Sequence, residues 1–473
     1  MPQTRRIHII ETKPSLWYPV RIAIIAALGG FMFGFDIAVI NGAIIAVQKK
    51  FSFAASGMWI SVSPMLIGAG LGAFFGGKLA NTYGQRLCLI LSGWIFFIGA
   101  FALGYPFFIY DFIFWRMVCG FAIGMANVVI PRYIAETSPP NLRGTLGALQ
   151  QLAIVLGISF AMLSNFLLVR HSGGAQNVLW LDLETWRWMF WSSCIPSFIY
   201  VSLAFTLPES PRFLVMKNKL PQARRILAKL ISSVRVNAKI NDIKKTITVG
   251  ADIKIANLFA KTPRGTIRLY PAVIAGFTIA CLQQLTGINV IFYYGNALWQ
   301  SLGFRENQSL TIGIIIASIN LLMTAIAVYL IDLKGRKKLL IFGSIGMFIG
   351  WTAMAIILSS IPSGHIIPRE INAIGISAVA AACVCVISFS VSWGPVAWVM
   401  LGEMFNNNIR GTAIALAGLL QWLANFIVCT TFHPLLSAMG ASVYGIYACM
   451  ALFGFFFVLA SVQETAGKEL EEM

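Results

Sequence analysis

The chain reads as an all-α membrane protein, with twelve transmembrane helices forming two parallel six-helix repeats joined by a helical linker outside the bilayer. Three observations predict this fold class. The composition is 58% hydrophobic and only 11% charged, with a mean hydropathy of +0.79, whereas soluble domains carry about 25% charged residues. The apolar residues fall in long runs rather than alternating. Three pairs of short motifs recur in the same order in the two halves of the 473 residues.

A helix of about 20 apolar residues crosses a roughly 30 Å hydrocarbon core. Such runs lie near 21–46, 57–80, 86–104, 111–135, 144–168, 188–207, 270–299, 308–331, 339–360, 372–402, 411–435 and 441–461. With the N-terminus placed inside, 28 of the 35 Lys and Arg residues fall in inner segments and six in outer ones. Arg116 alone lies within a span. Cytoplasmic segments carry such an excess, so both termini are expected in the cytoplasm of a multi-pass protein of the plasma or inner membrane. The formal charge of +18 therefore reports topology, and no nucleic-acid partner is expected. Arg5, Arg6 and Lys13 mimic a signal n-region, but the run that follows is too long and contains Asp36, so it reads as a retained span. The eight cysteines fall inside spans without a CxxC pair, which implies packing rather than a metal site or disulfides.

The repeat rests on spacing. Asn81-Thr82-Tyr83-Gly84-Gln85-Arg86 follows the second span and Asp332-Leu333-Lys334-Gly335-Arg336-Lys337 the eighth. Glu136 stands seven residues before Arg143-Gly144-Thr145, as Glu403 does before Arg410-Gly411-Thr412. Pro208-Glu209-Ser210-Pro211-Arg212 closes the sixth span and Glu464-Thr465 the twelfth. Six spans per copy give both copies one orientation. The expected units are 1–207, a linker at 208–268, 269–462 and a cytoplasmic tail at 463–473. In the linker, Ser210-Pro211 suits a helix start. Ala223, Ile226, Leu227, Leu230, Ile231 and Val234 recur at helical spacing opposite Arg224, Arg225, Lys229 and Arg235, as in a bracket beneath the halves or a helix lying on lipid.

Polar residues inside spans carry the chemistry. A carboxylate deep in a span costs about 2.5–3.5 kcal/mol on insertion scales, which makes Asp36 a functional candidate. Counting helix rise from the span ends puts Asp36 and Arg116 both about 8 Å below the outer surface, within reach of each other. A protonation switch is favoured over a static pair, since a buried ion pair is often no more stable than an apolar replacement. The seventh span holds Gln283, Gln284, Asn289, Tyr293 and Tyr294 around Thr286-Gly287. In a regular helix Gln284 and Asn289 would point about 140° apart, and unwinding at Gly287 brings them together. Gln421 and Asn425 share a face of the eleventh span beside Trp422, Trp398 follows Gly394-Pro395, and Gln150-Gln151 lies in the fifth. Amides both donate and accept, and indoles offer flat apolar faces, a mix suited to a neutral polyhydroxylated molecule. Gly72-Ala73-Phe74-Phe75-Gly76-Gly77-Lys78-Leu79 approaches a phosphate loop but has Leu79 where magnesium needs Ser or Thr. Gly68, Gly72 and Gly76 read instead as a helix-packing face. The four histidines are scattered, so neither an enzyme nor a cofactor is expected.

On Gly34-Phe35-Asp36, Glu136 with Arg143-Gly144, Pro208-Glu209-Ser210-Pro211-Arg212, Gln283-Gln284-Leu285-Thr286-Gly287-Ile288-Asn289 and Gly394-Pro395-Val396-Ala397-Trp398, the chain resembles the sugar porter branch of the major facilitator superfamily. Within that branch it is similar to the bacterial sugar–proton symporters. The resemblance spans all twelve helices. It implies sugar contacts at Gln151, Gln283, Gln284, Asn289, Trp398, Gln421 and Trp422, to which the residues themselves add Tyr293 and Asn425. Facilitative glucose transporters are similar but carry Asn where Asp36 stands, which points to proton coupling through Asp36 and Arg116. Asn81 and Thr82 replace the usual Asp and Arg, so the charge lock of the N-terminal half should be weaker, and Gln463 replaces the usual Pro of the final motif. The charged residues Arg86, Glu136, Arg143, Glu209, Arg212, Arg336, Glu403, Arg410 and Glu464 are expected to form a cytoplasmic gate. The expectation is alternating-access symport of a monosaccharide, hexose or pentose, with protons, by a monomer in the lipid bilayer. A proton-independent facilitator is the main alternative. A sensor would favour a long signalling tail, and an ion channel a charged or carbonyl-lined pore.

Overall fold

The computed structural model describes residues 16–139, 142–231, 235–249, 258–261, 267–360, 373–405 and 409–464. The first five spans are Trp17–Lys50, Ser63–Tyr83, Gln85–Leu103, Ile109–Thr137 and Arg143–Ser172. The sixth comes in two pieces, Thr185–Ser192 and Cys194–Ala204. In the second half the seventh span is Pro271–Leu285 followed by Ile288–Ser301, and the tenth is Ala373–Val391 followed by Trp393–Glu403. Glu306–Lys334, Arg336–Ser359, Arg410–Met439 and Ser442–Ser461 complete the twelve.

Ten of the described helices are long and apolar enough to cross a membrane unaided. The second span is diluted by glycine and Lys78, and the sixth by Trp186, Arg187 and Trp188 in its first piece. The second span packs closely on the fourth: a Cβ at Gly68 or Gly72 would lie 2.0 Å from the carbonyl oxygen of Met117 or Phe121. Gly68 and Gly72 are thus a packing face, as their spacing predicts. The second helix begins at Ser63, later than its apolar run, because a 3₁₀ turn at Ala55–Ser61 comes first.

The linker departs from the single amphipathic helix expected there. It forms three short helices, Pro211–Met216, Leu220–Leu230 and Val236–Val249, and a hairpin pairing Phe259–Lys261 with Ile267–Leu269. Ser210 caps the first, its hydroxyl accepting from the Phe213 N–H. The second ends at Leu230 because Ile231 turns extended, and Val234 lies outside the described residues. Leu214, Val215, Ala223, Leu227, Val236 and Ile240 bury one another in a small core apart from the main one. Arg224 and Arg225 stay exposed, and the Lys229 ammonium sits 5.4 Å over the Tyr18 ring at the foot of the first span.

The halves meet where the first span packs on Ile288–Ser301, the fifth on the eighth and the second on the eleventh. Among the described residues, the hydrogen bonds between halves lie from mid-membrane to the face opposite the termini. Ser159 Oγ donates to the Ala317 carbonyl at 3.3 Å, the Ala175 N–H to Glu306 at 3.1 Å, and three bonds at Asn41 complete the set.

Candidate functional site

Two polar clusters occupy the membrane interior, one in each half. In the first, Asp36 and Arg116 meet. Arg116 Nη1 donates to both carboxylate oxygens at 2.8 and 2.9 Å, and Nε to the Ser61 carbonyl at 3.1 Å. Their side chains are 3% and 0% exposed, so water does not share the pair. The first span stays helical through Gly34 and Asp36, and the 3₁₀ turn delivers the Ser61 carbonyl. Nη2 of Arg116 has no hydrogen-bond partner among the described residues. A charge-assisted arginine–carboxylate hydrogen bond is strong while the carboxyl is ionised, and a proton on the carboxyl removes its charge.

The second cluster is uncharged. The seventh span stops at Leu285, Gly287 takes a left-handed φ of 78°, and the helix restarts at Ile288. That break brings Gln284 and Asn289 together: Asn289 Nδ2 donates to Gln284 Oε1 at 2.5 Å and to Asn425 Oδ1 at 3.0 Å. Gln284 Nε2 reaches Gln283 Oε1 at 3.4 Å, and Gln421 Nε2 donates to the same oxygen. Five amides thus form one chain from Gln421 to Asn425. Gln283 Nε2 also donates to the carbonyls of Trp393 and Gly394, at 2.9 and 3.1 Å. Both its N–H groups and both lone pairs of its oxygen are engaged, so in this conformation Gln283 ties the break in the tenth span to the seventh. That break falls at Ser392, just before Gly394-Pro395.

Trp422 is buried, its ring edge-on to Phe33 of the other half at 5.4 Å, and Trp398 is half-buried against the core. Among the described residues, Gln421 Oε1 is a buried polar atom without a hydrogen-bond partner. Such groups are rare in folded proteins and mark unused hydrogen-bonding capacity. Gln150 donates to Asn127 at 2.7 Å, whereas the half-buried Gln151 makes no side-chain hydrogen bond among the described residues.

At the termini-side end, the bonds that the charged residues expected as a gate make among the described residues fall within their own half. Glu209 accepts the N–H groups of Gln85 and Arg86 at 3.0 and 3.2 Å, and Glu464 those of Arg336 and Lys337 at 2.8 and 3.1 Å. Each caps a helix N-terminus, where free N–H groups and the dipole favour a carboxylate. Gly84 and Gly335, with φ of 105° and 85°, make room: a Cβ would lie 2.3 and 2.6 Å from those carboxylate oxygens. Burial holds the Glu209 carboxyl above its ordinary range, against the pull of these N–H bonds and the Arg86 charge. Arg86 itself donates to the Phe205 carbonyl at 2.7 Å, and Arg212 is exposed with no ion pair among the described residues. Glu136 accepts from Gln85 at 2.8 Å, from Arg132 at 3.0 Å and from Ser210 Oγ. Arg336 grips Glu403 with two bonds, 3.0 and 3.2 Å. The side chains of Arg143 and Arg410 lie outside the described residues.

Sequence reasoning passed over Asn41, Asn165, Asn320 and Asn127. Ser390 Oγ donates to Asn320 at 2.6 Å, joining the tenth span to the eighth. The signal was available, since a polar side chain in an apolar run needs a partner just as Asp36 does.

Two half-bundles with broken helices around an amide cluster, beside a buried ion pair, define a transporter of the major facilitator fold, not an enzyme. The chain belongs to the family described as "Sugar (and other) transporter", whose model matches residues 22–473. It is 45% identical over 98% of both chains to the "Glucose transport protein" of Synechocystis sp.. It is 32% identical to the "D-xylose-proton symporter" of Escherichia coli, over 98% of this chain and 96% of that one. Among solved structures, XylE bound to 6-bromo-6-deoxy-D-glucose matches with a TM-score of 0.79 at 31% identity, covering 96% of this chain and 98% of that one. A partially occluded inward-open XylE matches at 0.80 and 30% identity, covering 96% and 100%.

Proposed function

We propose that the protein carries a monosaccharide across the membrane together with a proton, by alternating access, with both termini in the cytoplasm. The observation that carries the proton half is the Asp36–Arg116 pair, a carboxylate sealed from water and held by one buried counter-charge. Relatives named as glucose transport protein and xylose– and arabinose–proton symporters support the same reading. The units 1–207, 208–268, 269–462 and 463–473 serve as first half, linker, second half and tail.

The amide chain supplies sugar recognition. Gln284, Asn289, Gln421 and Asn425 exchange their mutual bonds for sugar hydroxyls, and Gln151 adds a contact from the first half. Trp398, Trp422 and Tyr293 pack on the C–H faces, while Gln283 orients Gln421 and the tenth-span break. At the cytoplasmic end Glu136, Glu403, Arg143 and Arg410 pair across the halves when the site faces outward. They separate when it opens inward, and Glu209 and Glu464 stay as helix caps. The test is uptake of labelled D-glucose into proteoliposomes under an imposed proton gradient. Accumulation above the outside concentration, abolished by a protonophore, is the expected result. Equilibration without accumulation would favour a facilitator.

A further inference from the structure

Gly287 is able to turn left-handed, but nothing in a glycine obliges it to, because a residue without a Cβ takes positive and negative φ about equally readily. In a continuous helix the Gln283 carbonyl would accept the Gly287 N–H. At the break the Gly287 N–H pairs with the Gln284 carbonyl at 3.0 Å instead, and the Thr286 hydroxyl donates to the Gln283 carbonyl at 3.2 Å. The backbone thus recovers part of the bonding it gives up, and packing decides which shape is kept. The packing partner is Tyr447 of the twelfth span. A Cβ at Gly287 would lie 2.4, 2.6 and 2.7 Å from Cγ, Cδ1 and Cδ2 of its ring, so the ring fills the place of a side chain at 287. Trp351 of the ninth span and Phe432 of the eleventh flank that ring, with centroids at 5.5 and 6.5 Å, and Tyr447 is 4% exposed. Its hydroxyl has no hydrogen-bond partner among the described residues, so what the residue contributes is the ring. At Gly34 of the first span a backbone carbonyl, that of Ile154, takes the corresponding space, and the helix runs on unbroken.

We propose that Tyr447 is a positioning residue for sugar recognition, its ring holding Gly287 in the left-handed turn that lets Gln284 and Asn289 converge. The proposal rests on the reading of the amide chain as the sugar site. Tyr447 acts through the turn, from a span that carries none of the five amides. A smaller side chain at 447 frees the turn to relax towards the straight helix, in which Gln284 and Asn289 point about 140° apart. The sugar then meets two amides that no longer face one another.

The experiment is titration calorimetry with D-glucose on the purified full chain, with Tm measured alongside. Tyr447→Leu should weaken binding by roughly two- to tenfold for each sugar bond misplaced, while Tyr447→Phe, which keeps the ring, should bind as wild type does. Tyr444→Leu is the control. Tyr444 is buried on the same span and stacks on Trp351 at 5.8 Å, but the atoms nearest Gly287 are those of Tyr447. Tyr444→Leu should lower Tm about as much as Tyr447→Leu and leave affinity unchanged. Tyr447→Leu combined with Asn289→Ala should cost less than the two effects added, because both act on one contact. Where the leucine variant folds poorly, Tyr447→Met carries the same test with a flexible chain that refills the space. Wild-type affinity in the leucine or methionine variant, with Asn289→Ala still weakened, would overturn the positioning role alone. So would strict additivity, equal weakening in Tyr444→Leu, or a loss in Tyr447→Phe as large as in Tyr447→Leu. Wild-type affinity in Asn289→Ala as well would remove the sugar-site reading, and the positioning role with it.

Discussion

The first helix of each half carries the same motif and uses it differently. Gly34, Asp36 and Gly42 are matched at one offset of 253 residues by Gly287, Asn289 and Gly295. At Gly34 the helix continues, and the missing side chain serves packing: a Cβ would lie 1.8 Å from the Ile154 carbonyl oxygen. At Gly287 the backbone turns left-handed and the helix breaks. Two residues on, the first half holds a carboxylate bonded to Arg116 and the second an amide in a chain of amides. An unbroken, tightly packed helix keeps a charge in one controlled environment. A broken one lets several neutral groups converge and part. Duplication supplied the scaffold twice, and one polar position per copy was set to a different task.

The largest expected effect comes from breaking the charged half. Arg116→Leu leaves Asp36 buried without its partner, which typically costs about 3–5 kcal/mol. Thermal unfolding in detergent should show a large drop in Tm, and Arg116→Leu with Asp36→Asn should recover most of it. Equal Tm values for the single and double variants would mean the pair is not a unit.

The neutral half should respond more mildly and in binding rather than in stability. Gln284→Ala or Asn289→Ala removes a hydrogen bond to the sugar and leaves its hydroxyl without a partner, a loss of about 1–3 kcal/mol in the bound state. Titration calorimetry with D-glucose should show affinity weakened from about fivefold to over a hundredfold, with Tm nearly unchanged. Wild-type affinity in both variants would take the amide chain out of the sugar site.

The smallest effect is expected at the termini-side end. There one matched position is neutral in the first half and charged in the second: Gln85 reaches Glu136 where Arg336 grips Glu403. Arg336→Gln makes the second half like the first and should change the balance of conformations by about 1 kcal/mol or less. Cysteine labelling at Leu333 in the two backgrounds would measure it, and a shift as large as that of Arg116→Leu would contradict the ranking.

Much of this was legible in the sequence, because crossing a bilayer forces long apolar helices and makes every polar residue within them informative. Asp36 with Arg116, and Gln284 with Asn289 across the Gly287 break, follow from depth and helical angle alone. Partner choice was harder to read. Glu209 and Glu464 offer charge, and their motifs suggest ion pairs, but helix N-termini more than 120 residues away in sequence take them. Gln283 looks like a ligand contact until the carbonyls freed at the Ser392 break claim its N–H groups. Gln150 bonds Asn127, a partner that no spacing rule identifies. In the linker the helical spacing was right as far as Leu230, but nothing in it marked the extended Ile231.

The central claim is that the one charged position of the repeated motif drives transport, and Asp36→Asn tests it most directly because it converts that position to its counterpart in the other half. The change keeps the shape of the side chain and mimics a permanently protonated carboxyl. One elementary charge crossing 100 mV is worth about 2.3 kcal/mol, enough for roughly fifty-fold sugar accumulation at full coupling. In proteoliposomes with an imposed proton gradient, wild type should accumulate labelled D-glucose. Asp36→Asn should lose accumulation and sugar-dependent proton entry while still binding D-glucose and exchanging it with unlabelled sugar. Gradient-driven accumulation that persists in Asp36→Asn would contradict the account and place the proton elsewhere.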